Sequence, residues 1–213
     1  MQVTTSFEDR VDFASHLLAD AFEHDPSINY CLRSFGSEQR SKCRQELFDA
    51  LLTSAISRNA SIEEAGGFRS CGVLVPPKDQ SLPSSNSKAR LVAAGLESCL
   101  ANIHDISSQT KPCRDLVMKG EDRYFYIFFL GTPTAERGKG LCSAIIRHYQ
   151  SIAAEQKLPI YLEAGTEYCR SLYESLGFTV VGEIVIGKGK AAADGMVEIG
   201  GPGFQVWGMI WVN

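Results

Sequence analysis

Residues 124–156 read YFYIFFLGTPTAERGKGLCSAIIRHYQSIAAEQ, and few folds accommodate that succession of patterns. Residues 124–130 are a run of aromatic and large apolar side chains, bounded by charge before it and by Gly-Thr-Pro after it. Such a run reads as a buried strand. A turn of small and polar residues follows. From Arg137-Gly138-Lys139-Gly140 onward the pattern becomes helical: Leu141, Ala144, Ile145, Tyr149 and Ile152 form one apolar stripe. Pro159 stops that helix just after Lys157.

A strand, a glycine-containing turn and a helix start together make an anion site. The first turn of a helix carries backbone N–H groups with no intrahelical partner, and the helix dipole adds positive charge there. Glycine lets an anion approach the backbone without meeting a Cβ. Arg137 and Lys139 add fixed charge, so the ligand implied is a phosphate or pyrophosphate. The nucleotide-triphosphate pattern G-x-x-x-x-G-K-[ST] is absent, since Leu follows Gly140. The dinucleotide pattern G-x-G-x-x-G also fails, because Ser143 stands where the third glycine belongs. The competing reading is an ordinary basic turn.

The remaining chain bounds the answer. Its 213 residues suit one domain, and 44% hydrophobic residues allow a full core. A net charge of −4 argues against a nucleic-acid partner held by general basicity. No apolar run is long enough to span a bilayer, and the N-terminal sequence lacks a basic end followed by an apolar core. The 7 cysteines are odd in number and never in C-x-x-C spacing. They read as free thiols in a reducing, cytoplasmic compartment, and no metal site is expected.

In chain order, residues 1–7 read as a short strand and residues 8–22 as an amphipathic helix that ends at Asp25-Pro26. Residues 39–58 form a second helix. Residues 61–65 and 70–75 form a hairpin around Gly66-Gly67. Glu63 and Glu64 lie on it; one must face inward and could act as a base, although a solvated face is the commoner fate. Residues 80–87 read as loop, 89–104 as a helix, and the rest up to Gly120 carries no clear period. Residues 159–164 read as a buried strand, 167–176 as a short helix capped by Gly177, and 179–183 as a strand. The glycine-rich stretch 187–203 reads as a flexible hairpin tip. Residues 204–212 form a last strand with Trp207 and Trp211 on one face, offering an edge for pairing.

Arg137-x-x-Gly140-x-Cys142 resembles the R/Q-x-x-G-x-G/A signature of the GNAT N-acetyltransferase superfamily, with Cys142 in the place of Gly or Ala. Tyr173-Glu174-Ser175-Leu176-Gly177-Phe178 resembles that superfamily's LYEKLGF box, although Thr166 and Cys169 stand where Asn and Ala are usual. Ala21-Phe22-x-x-Asp25-Pro26 is similar to a turn that precedes the acceptor site in such proteins. Two stretches, LGTPTAERGKGLCSAI and VWGMIWV, resemble puromycin N-acetyltransferase and uncharacterised fungal GNAT proteins.

The resemblance implies an α+β GNAT fold, a mixed central sheet with helices on both faces. It implies one domain over 1–213, with an insertion at about 78–121 beside the acceptor cleft. It implies an N-acetyltransferase that uses acetyl-CoA as co-substrate, with direct attack by the amine in a ternary complex. Pyrophosphate would be held by Arg137, Gly138, Lys139, Gly140, Leu141, Cys142 and Ser143. A backbone N–H of Phe129, Leu130 or Gly131 would polarise the thioester carbonyl. Tyr173 would protonate the leaving thiolate, and Glu163 would relay a proton or simply make a structural hydrogen bond. The expected acceptor is a small-molecule amine; a protein N-acetyltransferase and a non-catalytic CoA-binding module are the alternatives. Neither nucleic acid nor membrane is an expected partner, and the chain would be a monomer or homodimer.

Overall fold

The computed structural model describes residues 2–77, 85–118 and 123–213. The chain runs β1 (Val3–Ser6), a 3-10 turn at Glu8–Arg10, α1 (Val11–Ala21), α2 (Pro26–Cys31), α3 (Ser37–Ile56), β2 (Ser61–Ala65) and β3 (Ser70–Val75). It continues through α4 (Ser85–Ala93), α5 (Glu97–Met118), β4 (Phe125–Gly131), α6 (Leu141–Gln156), β5 (Ile160–Ala164), α7 (Glu167–Ser175), β6 (Thr179–Ile186) and β7 (Phe204–Trp211). The strands form one sheet in the order β1-β2-β3-β4-β5-β7-β6. Every neighbouring pair is antiparallel except β4 and β5.

Period-two alternation along the strands sends side chains to two separate cores. Ile62, Cys71, Val73 and Val75 pack under α1, α3 and the Leu91–Leu96 turn on one face. Ala65, Leu74, Ile127 and Leu162 pack with α6 and α7 on the other. The expected mixed sheet with helices on both faces is what the chain adopts.

The decisive irregularity lies between β4 and β5. Only Phe125 with Ile160 and Tyr126 with Tyr161 pair before the strands part. On the other side of β4 the register skips: Val73 faces Phe129 while Leu74 faces Ile127, so Phe128 is an extra residue. A bulge of this kind bends its strand and re-aims the backbone. The C-terminal half of β4 therefore keeps β3 and presents an unpaired edge toward β5.

Several elements differ from their sequence pattern. Proline does not end helical structure at Pro26; it opens α2, with Asp25 as N-cap accepting from the amides of Ser27 (2.9 Å) and Ile28 (3.1 Å). Proline lacks only an N–H that the first turn leaves unused. The helix expected over 89–104 is two helices. Gly95, at φ +71°, closes α4, and α5 then runs to Met118. Its period is hidden in the sequence because Ser107, Thr110 and Arg114 occupy the inward face, which borders a cavity and not an apolar core. Of the loop expected over 80–87, residues 80–84 lie outside the described residues, and 85–87 open α4.

The last strand, β7, is interior, between β5 and β6, so the edge belongs to β6. Trp207 and Trp211 do share a face and pack into the core beside α7. The glycine-rich stretch 187–203 is not a free tip. Asn29 Nδ2 donates to the Asp194 carbonyl (3.0 Å), Arg40 contacts the Met196 sulfur, and Lys190 Nζ donates to Asp105 (2.7 Å).

Both hairpin glutamates are buried. Glu64 accepts from the Thr4 hydroxyl and from the Phe68 amide. Glu63 is 0% exposed and points at α6, where Tyr149 lies against it. Neither Glu63 oxygen nor the Tyr149 hydroxyl has a hydrogen-bond partner among the described residues. Burial pushes the Glu63 carboxyl up to about 7. A pKa raised in the folded state makes a contribution to stability that is complete in acid and is lost as pH rises through about 7. Glu63→Gln is therefore expected to raise stability at pH 8 by roughly 1–3 kcal/mol. Its advantage should vanish near pH 4, as read by urea titration at the two pH values.

Candidate active site

The parting of β4 from β5 opens a cavity of about 240 Å³. Its floor is the free edge of β4 at Ile127, Phe128, Phe129 and Leu130. The α1–α2 turn, α5, the end of β5 and the start of α7 supply the walls, and most of the lining is apolar. Its charged and phenolic lining comprises Asp25, Arg58, Arg114, Tyr126, Glu163 and Tyr173.

Asp25 sits where α1 turns into α2. Burial pushes its carboxyl up to about 6, against the lowering effect of the Ile28 and Ser27 amides that it accepts from. A Cβ added at Gly165 would stand 3.0 Å from its Oδ2, which fixes the carboxylate beside the end of β5. Tyr173 projects from α7 and packs against Phe178, with ring centroids 5.9 Å apart. Burial raises its phenol well above 10, and Cys142, Cys169 and Asp25 are its charged or ionisable neighbours. Its hydroxyl thus remains protonated.

Glu163 accepts from the Tyr126 hydroxyl at 2.7 Å, and burial raises its carboxyl although Tyr126 and Arg114 oppose the shift. Its second oxygen has no partner among the described residues.

The loop before α6 lies beside this cavity without lining it. Gly138 and Gly140 both have φ +74°, a left-handed conformation that side chains with a Cβ resist. A Cβ built at either would meet nothing within 4 Å, so the two glycines border open space. The first helical bond of α6 runs from the Ala144 amide to the Gly140 carbonyl, leaving the amides of Leu141, Cys142 and Ser143 in the unsatisfied first turn. The Leu141 side chain is buried, and burial pushes the Cys142 thiol up to about 12. Cys142 is thus a packed hydrophobe in a position where the sequence pattern asks only for something small.

The two basic residues are less free than the sequence implies. Arg137 donates to the carbonyls of Thr132 (3.1 Å) and Ala21 (3.4 Å), tying the loop to α1. Lys139 pairs with Glu136 at 2.9 Å, and Glu136 also faces Arg69.

Of the residues singled out from sequence, Phe129, Leu130, Glu163 and Tyr173 meet at the cavity. Gly131 lies just beyond, where a Cβ would come 2.7 Å from Leu18, so only glycine lets α1 approach β4. Residues 137–143 stand apart at the α6 N-terminus. Asp25 and Arg114 line the cavity as well, a placement that the sequence pattern does not reveal. The D-P dipeptide marked the turn but not the burial of its carboxylate, and no period in 105–118 exposed Arg114.

No family model matches the chain. An uncharacterised N-acetyltransferase of Schizosaccharomyces pombe is 27% identical over 173 residues, 78% of this chain and 69% of that protein. An uncharacterised protein of Saccharomyces cerevisiae is 25% identical over 202 residues, 93% of this chain and 82% of that one. Among solved structures, arylalkylamine N-acetyltransferase 2 of Aedes aegypti superimposes with a TM-score of 0.61 at 16% identity, covering 100% of this chain and 99% of that one. With its seven-stranded mixed sheet parted at β4 and β5, the chain has the α+β GNAT fold, and its sequence is similar to these fungal proteins, one of them an N-acetyltransferase.

Proposed function

We propose that the chain moves an acetyl group from acetyl-CoA to the amine of a small molecule, by direct attack within a ternary complex. The observation that carries this reading is the cavity at the parted strands, which holds a buried carboxylate and a buried phenol at one end and lies next to the two-glycine turn. Its volume, about 240 Å³, suits a small acceptor. The arylalkylamine enzyme of similar fold supports the same substrate class. The likeness to puromycin N-acetyltransferase rests on two short stretches and fixes no acceptor. The helices between β3 and β4 would be the insertion of a one-domain enzyme, contributing the acceptor wall.

The open space beside Gly138 and Gly140 and the free amides of the first turn of α6 fit a pyrophosphate, with Arg137 bracing the loop. When bound, acetyl-CoA supplies an acyl group activated as a thioester. An alkylamine is mostly protonated at neutral pH and must lose a proton before it attacks. Asp25 is the base: with a pKa of about 6 it is ionised at pH 7, yet close enough to accept a proton efficiently. Backbone N–H groups on the free edge of β4, at Phe129 to Gly131, donate to the carbonyl oxygen as it gains charge. Tyr173 donates from its hydroxyl to the departing sulfur. Its raised pKa makes it a better hydrogen-bond donor held in place than a free proton source. Glu163, bonded by Tyr126, holds the aromatic side of the cavity and can pass a proton outward.

Calorimetric titration with acetyl-CoA, with ATP and NAD as controls, tests the cofactor; saturable binding of acetyl-CoA alone is expected, and its absence would sink the proposal. Gly140→Val should fold with a backbone penalty of roughly 1–2 kcal/mol. It should also weaken acetyl-CoA binding at least about tenfold, since a branched Cβ occupies the space an anion needs. Tyr173→Phe is expected to lower turnover about tenfold to a hundredfold with little change in acetyl-CoA affinity; unaltered turnover removes Tyr173 from the chemistry. In the wild type kcat/KM should rise with pH through about 6, the value for Asp25. Asp25→Asn keeps the helix cap but should abolish that limb and cost about a hundredfold in kcat.

A further inference from the structure

Arg114 is the feature of the cavity that the transfer chemistry leaves unused. It lies on the inward face of α5 with Ile103, Ser107 and Thr110, all lining the cavity. Its guanidinium stands over the Tyr126 ring, 5.7 Å from the centroid. None of the ion pairs among the described residues includes it. Glu163 acts on it electrostatically across the cavity, but the hydrogen bond to that carboxyl comes from Tyr126. A second arginine, Arg58, borders the same space from the end of α3, its Nε donating to the Ser54 carbonyl at 3.1 Å.

A guanidinium keeps its charge under any physiological condition and presents a planar fork of donors suited to carboxylate or phosphate oxygens. Half-buried among apolar and aromatic walls, such a group is costly unless a partner of opposite charge meets it. The cavity is thus polarised. Asp25 and Tyr173 stand together at one end, and Arg114, with the hydroxyls of Ser107 and Thr110, stands on the α5 wall.

Resting on the acetyltransferase reading above, we propose that the acceptor is an amine whose far end carries an anionic oxygen group, a carboxylate or a phosphate, received by Arg114. The amine meets Asp25, the apolar body lies along Phe128 and Ile106, and the anion meets the guanidinium. The acceptor class is therefore ω-amino acids and amino-phosphates with an apolar body. A simple hydrophobic amine brings no oxygen to the guanidinium and leaves it only the distant pull of Glu163, whose carboxylate Tyr126 already bonds. Arg114 is a specificity residue in this reading, not a catalytic one.

The test compares matched acceptors that differ only at the far end. One arm pairs 4-aminobutyrate, 6-aminohexanoate and 4-(aminomethyl)benzoate with butylamine, hexylamine and benzylamine; a second pairs 2-aminoethyl phosphate with ethanolamine. Free CoA release gives kcat and KM for each, and calorimetry gives affinities for the CoA-loaded protein. At least one anionic member should exceed its neutral twin by about tenfold or more, through KM. Which arm responds tells carboxylate from phosphate. Arg114→Ala should shrink that preference to near unity, and Arg114→Lys should retain part of it. Acetyl-CoA affinity and the melting temperature of each variant report whether it is folded.

A wild type with no preference for any anionic member, in turnover or in binding, overturns the proposal. So does an Arg114→Ala protein that loses equally on both twins. A wild type that fails to bind acetyl-CoA defeats the acetyltransferase reading itself. Neutral amines acetylated without preference defeat only the role given to Arg114.

Discussion

The structure depends on a broken set of hydrogen bonds. A parallel pair of strands would ordinarily zip along its length, yet β4 and β5 keep only two residue pairs. The extra residue at Phe128 bends β4 toward β3, and the backbone groups that lose β5 are left for something else to satisfy. Backbone groups in a gap of this kind need water or a polar ligand to pair with. The free edge therefore matters most as a row of oriented dipoles, rigidly backed by the bonds from β4 to β3. The cavity follows from that gap, and the helices around it are arranged to close it.

The polar groups in the cavity were placed there against their solvation preference. Asp25 is held by two amides yet still lies above the ordinary carboxylate range, so desolvation outweighs the helix cap. Glu163 is raised despite a hydrogen bond and a nearby guanidinium. Glu63, on the opposite face of the sheet under α6, is raised by the same cause but lines no cavity. Burial acts on all three carboxyls alike. What separates Asp25 and Glu163 from Glu63 is the space in front of them.

Much of the fold could be read from the sequence because its elements obey simple periods. The strand 124–130, the glycine turn and the stripe of Leu141, Ile145 and Tyr149 all reappear in the structure. The hairpin at Gly66-Gly67 and the cap at Gly177 do so as well. The misses share a physical origin. α5 has no clean apolar stripe because its inner face borders a cavity, where Thr110 and Arg114 replace hydrophobes. α2 is only six residues long, and its capping aspartate looked like a stop signal. The interior place of β7 depends on a long-range choice of neighbour that no local pattern records. The proposed base, Asp25, was passed over for that reason: its burial is produced by Gly165 and α7, some 140 residues later in the chain.

The stretch between β6 and β7 carries a consequence for assembly. Gly195, at φ +84°, lies so close to α2 that a Cβ there would come 2.0 Å from the Pro26 carbonyl, and Asn29 bonds to Asp194 across 165 positions of sequence. α2, capped by Asp25, is thus braced by a segment that follows it by well over a hundred residues. Contacts of such sequence separation are entropically expensive and form late. A chain that has closed the sheet from β1 to β4 still lacks the brace that seats α2 and the Asp25 carboxylate. The position of the Asp25 carboxylate is therefore settled only once the stretch between β6 and β7 has docked on α2, which joins the two ends of the fold through a single capping residue.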